Sequence, residues 1–318
     1  MSNQLTTTTT NELAIAQPLP LDQHPAAVYL AGKTKRSQRV LKSDLDNIAR
    51  LLGAVDCLGV DWGAVRYQHA AAIRTALTED KKPATVNRML SALRGVLKSA
   101  WLLGYMSAED YHKAAGVKGI KNETLPAGRH ISAGEIAGLM QACQSDESKA
   151  GARDAAILAL LYAAGLRRAE IIGLDIADYE TETGRLLVRG KGNKERIAWI
   201  HNGAARALAA WLAIRGTTTG AIFYAINKGD NIQDKRMTSQ AIYYILSERA
   251  AQAGVKDFSP HDLRRTYITD LLEAGVDTFI VAKMAGHASP ETTARYDRRP
   301  EAAKSKAAEL LHVPYIGR

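Results

Sequence analysis

From Pro25 to about Val117, apolar residues recur at helical spacing, and the pattern is interrupted at Gly53, Gly59, Pro83 and Gly104. This predicts a small all-helical module. Its clearest helix opens near Pro83 and runs to Leu103, where Val86, Met89, Leu90, Leu93, Val96, Leu97 and Trp101 make one apolar stripe able to face a core. Asn87, Ser91, Arg94 and Lys98 recur at helical steps on a different face and form a polar line, read from the pattern alone as a solvated surface.

The pattern then breaks. Residues 118–130 are polar and punctuated by Gly119, Pro126 and Gly128, which reads as a linker. Beyond it, Ser132 and Glu135 have capping-box spacing and start a helix, and Arg153 to Ala164 forms another that Gly165 can end. The apolar run from Ala155 to Gly165 is too short to span a bilayer and reads as a buried helix. A short β segment comes next. Arg185 to Arg189 and Glu195 to Ile200 then flank a Gly-rich stretch and predict a β-hairpin with its tip around Lys191. Everything after the hairpin is expected to be helical, with starts at Ser259-Pro260, near Asp277 and at Ser289-Pro290, and a short helix over Glu301 to Leu311.

The expected fold class is therefore mainly α. A flexible tail (residues 1–23) precedes an all-helical domain (24–117), the linker (118–130) and a mainly α second domain with a small antiparallel sheet (131–318). The length of 318 residues agrees with two hydrophobic cores.

Composition adds a partner. A net charge of +9 and a pI near 9.4 suit a polyanion, because Lys and Arg release counterions when they meet phosphates. Hydrophobic residues at 46% and charged residues at 24% exclude both a disordered and a membrane-embedded chain. Cys57 and Cys143 lack disulfide-framework or metal-ligand spacing, and the N-terminus lacks the basic-then-apolar order of a signal peptide, so a reducing, cytoplasmic setting is expected.

Singly, the reactive residues are unremarkable. Arg167, Arg168 and Glu170 would serve as a surface ion pair, Lys191 as a turn lysine, His261 with Arg264 or Arg265 as one helix face, His287 as a helix-end cap, and Tyr296 as a packing residue. Their order carries more. Arg167 with Glu170, Lys191 within Gly190-Lys191-Gly192-Asn193-Lys194-Glu195-Arg196, His261-x-x-Arg264, Gly286-His287 and Tyr296 nine residues after that histidine resemble the tyrosine recombinase (phage integrase) family. The resemblance spans about Ile131 to Tyr296. The helical first domain resembles the family's core-binding domain by position and pattern. Helical geometry permits Arg168 for Arg167 and Arg265 for Arg264, and the hairpin permits Lys194 for Lys191. It is the family motif that favours the first of each pair.

The resemblance implies a reaction: cleavage and rejoining of DNA through a 3′-phosphotyrosine on Tyr296, with strands exchanged between two duplexes through a Holliday junction. Chemistry explains the grouping. Guanidinium forks suit the nonbridging oxygens of a phosphodiester, so Arg167 and Arg264 would clamp it, and a phenol needs a cationic setting or a base to attack near neutrality. Lys191 would protonate the leaving 5′-oxygen, His261 would assist proton transfer or brace the phosphate, His287 would bond a nonbridging oxygen, and Glu170 would orient these groups. In a DNA enzyme the line Asn87, Ser91, Arg94 and Lys98 would contact the duplex. The chain shows no carboxylate cluster at metal-ligand spacing, no HExxH-type pair and no Walker loop, so neither metal nor other cofactor is expected. The partners implied are double-stranded DNA with paired recombination sites and three further copies of the chain, giving a homotetramer on DNA that is nucleoid-associated and not bound to a membrane. The short stretch ahead of the first helical domain suggests an Xer-type or simple mobile-element enzyme without an arm-binding domain. The same residues would also serve a relaxing topoisomerase, or persist in a catalytically idle DNA-binding accessory protein.

Overall fold

Helices α1 (Pro25–Ala31), α2 (Lys35–Leu51), α3 (Tyr67–Asp80), α4 (Pro83–Leu102) and α5 (Ala108–Ala115) form where the apolar spacing puts them, in a computed structural model that describes Leu13, residues 19–121, 128–190, 194–287, 289–294 and Ala308. The chain divides into two compact units, Met1–Leu125 and Pro126–Arg318, each with its own core. In the first unit, α4 buries Val86, Met89, Leu90, Leu93, Val96 and Leu97, and each such side chain contributes about 2 kcal/mol of hydrophobic stabilisation. Pro83 supplies the first turn of α4, where a missing N–H costs nothing. Buried Asp44 on α2 receives both arms of the Arg88 guanidinium at 2.8 Å, which fixes α2 against α4.

The polar line on α4 splits in two. Asn87 makes a reciprocal pair with the backbone of Ile120 at 2.8 Å on both sides, and Arg94 donates to the carbonyls of Ala115 (3.0 Å) and Val117 (2.7 Å). Both therefore hold the 115–120 segment onto α4, whereas Ser91 and Lys98 face solvent. Most of the expected flexible tail lies outside the described residues. Leu13, within it, is buried in the first core, and its carbonyl accepts the Asp61 N–H at 2.8 Å.

The second unit begins with α6 (Ala133–Gln144), capped reciprocally by Ser132 and Glu135, and α7 (Lys149–Ala163). A continuous run from Ala155 to Leu161 is buried in α7, as expected of a helix that is apolar all round. Next come α8 (Arg168–Gly173) and a three-stranded antiparallel sheet of β1 (Tyr179–Glu180), β2 (Arg185–Arg189) and β3 (Glu195–Trp199), in that order across the sheet. The register sets Leu186 opposite Ala198 and Val188 opposite Arg196.

After α9 (Asn202–Arg215) the expectation of helices alone fails. A second hairpin, β4 (Tyr224–Ile226) with β5 (Ile232–Arg236), stands there. Its strands are too short to show alternation, and the sign of it is the turn: Asn227 Oδ1 accepts from the N–H groups of Gly229 and Asn231, both at 3.0 Å. The Asp230 carboxylate then accepts the Lys149 N–H at the start of α7. The chain continues through α10 (Ser239–Gln252), α11 (Pro260–Glu273), α12 (Thr278–Ala285) and α13 (Pro290–Ala294). The mainly α fold with a small antiparallel sheet is borne out; the helix expected over Glu301 to Leu311 falls almost entirely outside the described residues.

Gly165 turns the chain from α7 toward α8 in the left-handed region (φ 55°), and a Cβ there would sit 2.4 Å from the Tyr267 ring. Gly165→Ala should therefore cost about 2 kcal/mol or more, combining an unfavourable φ with overpacking. Urea unfolding checks this, and a variant as stable as the parent would refute the packing account.

Candidate active site

Arg167 is the N-cap residue of α8. Its backbone N–H donates to Glu170 Oε2 at 2.9 Å, and its guanidinium reaches Glu170 Oε1 at 2.5 Å and the Gly286 carbonyl at 3.2 Å. Glu170 is buried while about half of the Arg167 side chain stays open, so the guanidinium is held at both terminal nitrogens and still presents an exposed edge. Arg168 makes no comparable contact among the hydrogen bonds of the described residues, and the geometry separates the two arginines that spacing could not.

The first turn of α11 is set by Ser259 and Asp262 capping each other, with Pro260 at the helix start. This places His261 and Arg264 on one face. Arg264 is almost wholly buried and donates to the carbonyls of Gly165 and Ala285, the backbone groups that flank Arg167 on one side and His287 on the other. Arg265 takes the other side of α11: a Cβ at Gly128 would lie 3.4 Å from its Nε and against the Asp262 carboxylate.

Helix α12 ends at Gly286, whose φ of 66° lets the His287 N–H return to the Ala282 carbonyl at 2.9 Å in a left-handed cap. His287 is thereby turned toward Arg167. Its Nδ1 lies 2.7 Å from the hydroxyl of Thr293, a fully buried residue of α13. If the Thr293 hydroxyl donates to Nδ1, the neutral ring keeps its proton on Nε2, where it can be given to an oxyanion.

Two imidazoles sit in a cationic field. Partial burial, followed by the charges of Arg264, Arg167, His261 and Arg196, pushes His287 down to about 4. His261 faces solvent on α11, and partial burial of its ring with the charges of Arg264, Arg265 and Arg167 also lowers it. Both rings are shifted toward the neutral form, so the pocket's positive charge rests on the Arg and Lys side chains that line it and not on the imidazoles. The folded value of His287 lies below the histidine reference of 6.5, so the stability it contributes is fully present above pH 6.5 and is lost as pH falls toward 4. His287→Asn should flatten the fall of melting temperature across that window, and an unchanged slope would contradict this assignment.

A cavity of about 760 Å³ opens in front of these groups, lined by Arg167, Glu170, Lys194, Arg196, Gly286 and His287 among others. The site thus gathers Arg167 and Glu170 at α8, His261 and Arg264 on α11, and His287 after α12. Lys191 and Tyr296 lie outside the described residues, the first between β2 and β3 in the sequence and the second after α13.

Two residues of the site went unnoticed in the sequence. Thr293 carried no signal, since its role depends on the fold of α13 over His287. Arg196 did carry one: it shares the inward phase of β3 with buried Ala198, and an arginine on the buried face of a strand requires an acidic partner. That partner is Glu170, at 2.9 Å from Arg196 Nη2.

The family model described as the phage integrase family matches residues 129–302, more than half of the chain and the stretch that contains every group above. The chain belongs to the phage integrase family of tyrosine recombinases. Among its relatives is the tyrosine recombinase XerC of Corynebacterium efficiens, 34% identical over 85% of this chain and 83% of that one. Another is the tyrosine recombinase XerD of Mycobacterium tuberculosis, 33% identical over 65% of this chain and 69% of that one. This recombinase also shares its fold with solved structures. The Tn1549 transposon integrase in complex with transposon right end DNA superposes with a TM-score of 0.65 at 17% identity, covering 92% of this chain and 99% of that one. The XerH site-specific recombinase bound to a palindromic difH substrate gives 0.62 at 19% identity, over 95% and 92%. No described helix of this recombinase is long and apolar enough to cross a membrane.

Proposed function

We propose that this chain is a site-specific DNA recombinase, in which Tyr296 attacks a scissile phosphate, forms a 3′-phosphotyrosine and hands the strand to the 5′-hydroxyl of a partner duplex. The observation that carries this reading is that Arg167, from α8, and Arg264, from α11, both bond the backbone turn that leads into His287. In the cleavage step the Tyr296 oxygen–phosphorus bond forms as the bond to the 5′-oxygen breaks. Lys191 gives the leaving oxygen its proton, and neutral His261 is suited to take the one that the phenol loses. Arg167 and Arg264 hold charge on the nonbridging oxygens, with a hydrogen bond from His287. The phosphotyrosyl link retains the energy of the broken bond, so rejoining needs no nucleotide.

The substrate is double-stranded DNA with paired recombination sites, on which four copies of the chain assemble, and the setting is cytoplasmic and nucleoid-associated. Exposed Ser91 and Lys98 are the residues of the α4 line open to the duplex, while Asn87 and Arg94 act by shaping the 115–120 segment. The likeness to XerC and XerD supports recombination over simple relaxation of supercoils.

Nicked suicide duplexes tiling the DNA that flanks the encoding gene test this directly. One of them should trap a covalent adduct, mapped to Tyr296 by mass spectrometry, and two labelled duplexes should then yield joined strands. An adduct without joined strands, accompanied by relaxation of plasmids lacking that sequence, would replace recombination with topoisomerase activity. Binding without any adduct would leave an accessory DNA-binding protein.

A further inference from the structure

Arg196 occupies an unusual position beside the clamp. Its side chain is only 11% exposed, and its Nη2 donates to Glu170 Oε2 at 2.9 Å, while Arg167 holds the other oxygen of the same carboxylate at 2.5 Å. Its Nη1 is buried with no hydrogen-bond partner among the described residues. On its far side the guanidinium packs against the turn before His287, where a Cβ on Gly286 would lie 2.8 Å from Arg196 Nε. Burying a second guanidinium here costs desolvation that one shared carboxylate does not fully offset.

Charge balance explains what that cost achieves. Glu170 carries one negative charge between two positive groups. With Arg196 present, the Arg167, Glu170, Arg196 set has a net charge of about one positive unit, and Arg167 remains electrostatically available to an anion. Without Arg196, the Glu170 carboxylate would neutralise Arg167, and the clamp would retain its shape with little of its field. We infer that Arg196 is a positioning residue that acts through Glu170, keeping the Arg167 guanidinium both aimed and uncompensated toward the scissile phosphate. It also ties strand β3, and through it the Lys191 hairpin, to the Gly286–His287 turn.

This inference rests on the recombinase reading, and the test separates the two. The duplex that traps an adduct with the parent chain is used for single-turnover cleavage by the full-length parent, Arg196→Gln and Arg196→Lys, alongside duplex affinity and melting temperature. Arg196→Gln should form adduct about 100-fold more slowly, with duplex affinity within about threefold of the parent, because the field acts on charge that develops in the transition state. Arg196→Lys, which keeps the charge, should recover most of the rate. A duplex whose scissile position is an uncharged methylphosphonate should narrow the gap between the parent and Arg196→Gln, which lost packing alone would not do.

The inference is overturned if Arg196→Gln cleaves at the parental rate, if lysine restores nothing, or if the gap is the same on the methylphosphonate. A parent chain that forms no adduct on any duplex overturns the recombinase reading and this role with it.

Discussion

Tyr296→Phe should bind its duplex as the parent does and form no covalent adduct on the suicide substrate, at any time of incubation. The substitution removes one oxygen, the atom that would be joined to phosphorus, and leaves a ring of nearly the same volume. If the phenol oxygen is the nucleophile, the loss should exceed about 10⁴-fold, the scale on which a removed catalytic nucleophile is felt. Gel separation of adduct from free duplex reads the result. Joined strands from the Tyr296→Phe chain would mean that another residue attacks, and the assignment of the nucleophile would fall.

The second large effect is at Arg264, and it has two parts. This guanidinium is almost wholly buried and satisfies the carbonyls of Gly165 and Ala285, so Arg264→Ala leaves a cavity and two acceptors without donors. Each unsatisfied group costs about 1–3 kcal/mol, and the variant should lose about 2–5 kcal/mol of stability in all. Cleavage should fall by about 10³-fold or more, because charge on the transferring phosphate loses one of its two fixed arginines. Arg264→Lys separates the parts. It keeps the charge and much of the volume but cannot span both carbonyls, so it should recover stability more than rate. Melting temperature and single-turnover cleavage, measured together, decide the matter: an Arg264→Lys chain that cleaves at the parental rate would show that the charge suffices and the two-carbonyl geometry does not contribute.

Arg264 also shows where sequence and structure divide. Its spacing from His261 put both on one helix face, but helical geometry alone did not distinguish it from Arg265, and only the resemblance to the family motif favoured it. The distinction arises because α11 packs with Arg264 toward the ends of α7 and α12 and with Arg265 toward Gly128 and Asp262. Arg167 and Arg168 divide in the same way, by contact with Glu170 and the Gly286 carbonyl. The line on α4 gives the converse lesson. A polar stripe at helical spacing looked uniform, yet Asn87 and Arg94 are committed to the backbone of the 115–120 segment, because a chain leaving α5 needs partners for its carbonyls and N–H groups.

The sequence by itself determined the helical module, the first hairpin, the capped start of α11, the helix stop at Gly165, and the ordered set from Arg167 to Tyr296. These are local matters: periodicity, capping chemistry and backbone freedom act within a few residues and leave their mark there. Tertiary structure alone decided which backbone and side-chain groups hold Arg167 and Arg264, that Thr293 braces His287, that a second hairpin caps α7, and that Arg196 shares Glu170 with Arg167. Most of those outcomes depend on atoms brought together across long stretches of chain, 26 residues for Arg196 and Glu170, 99 for Arg264 and Gly165 and 119 for Arg167 and Gly286, while Thr293 stands only six residues from His287 and meets it through the turn between α12 and α13. Only the closing of the core around them determines which donor meets which acceptor.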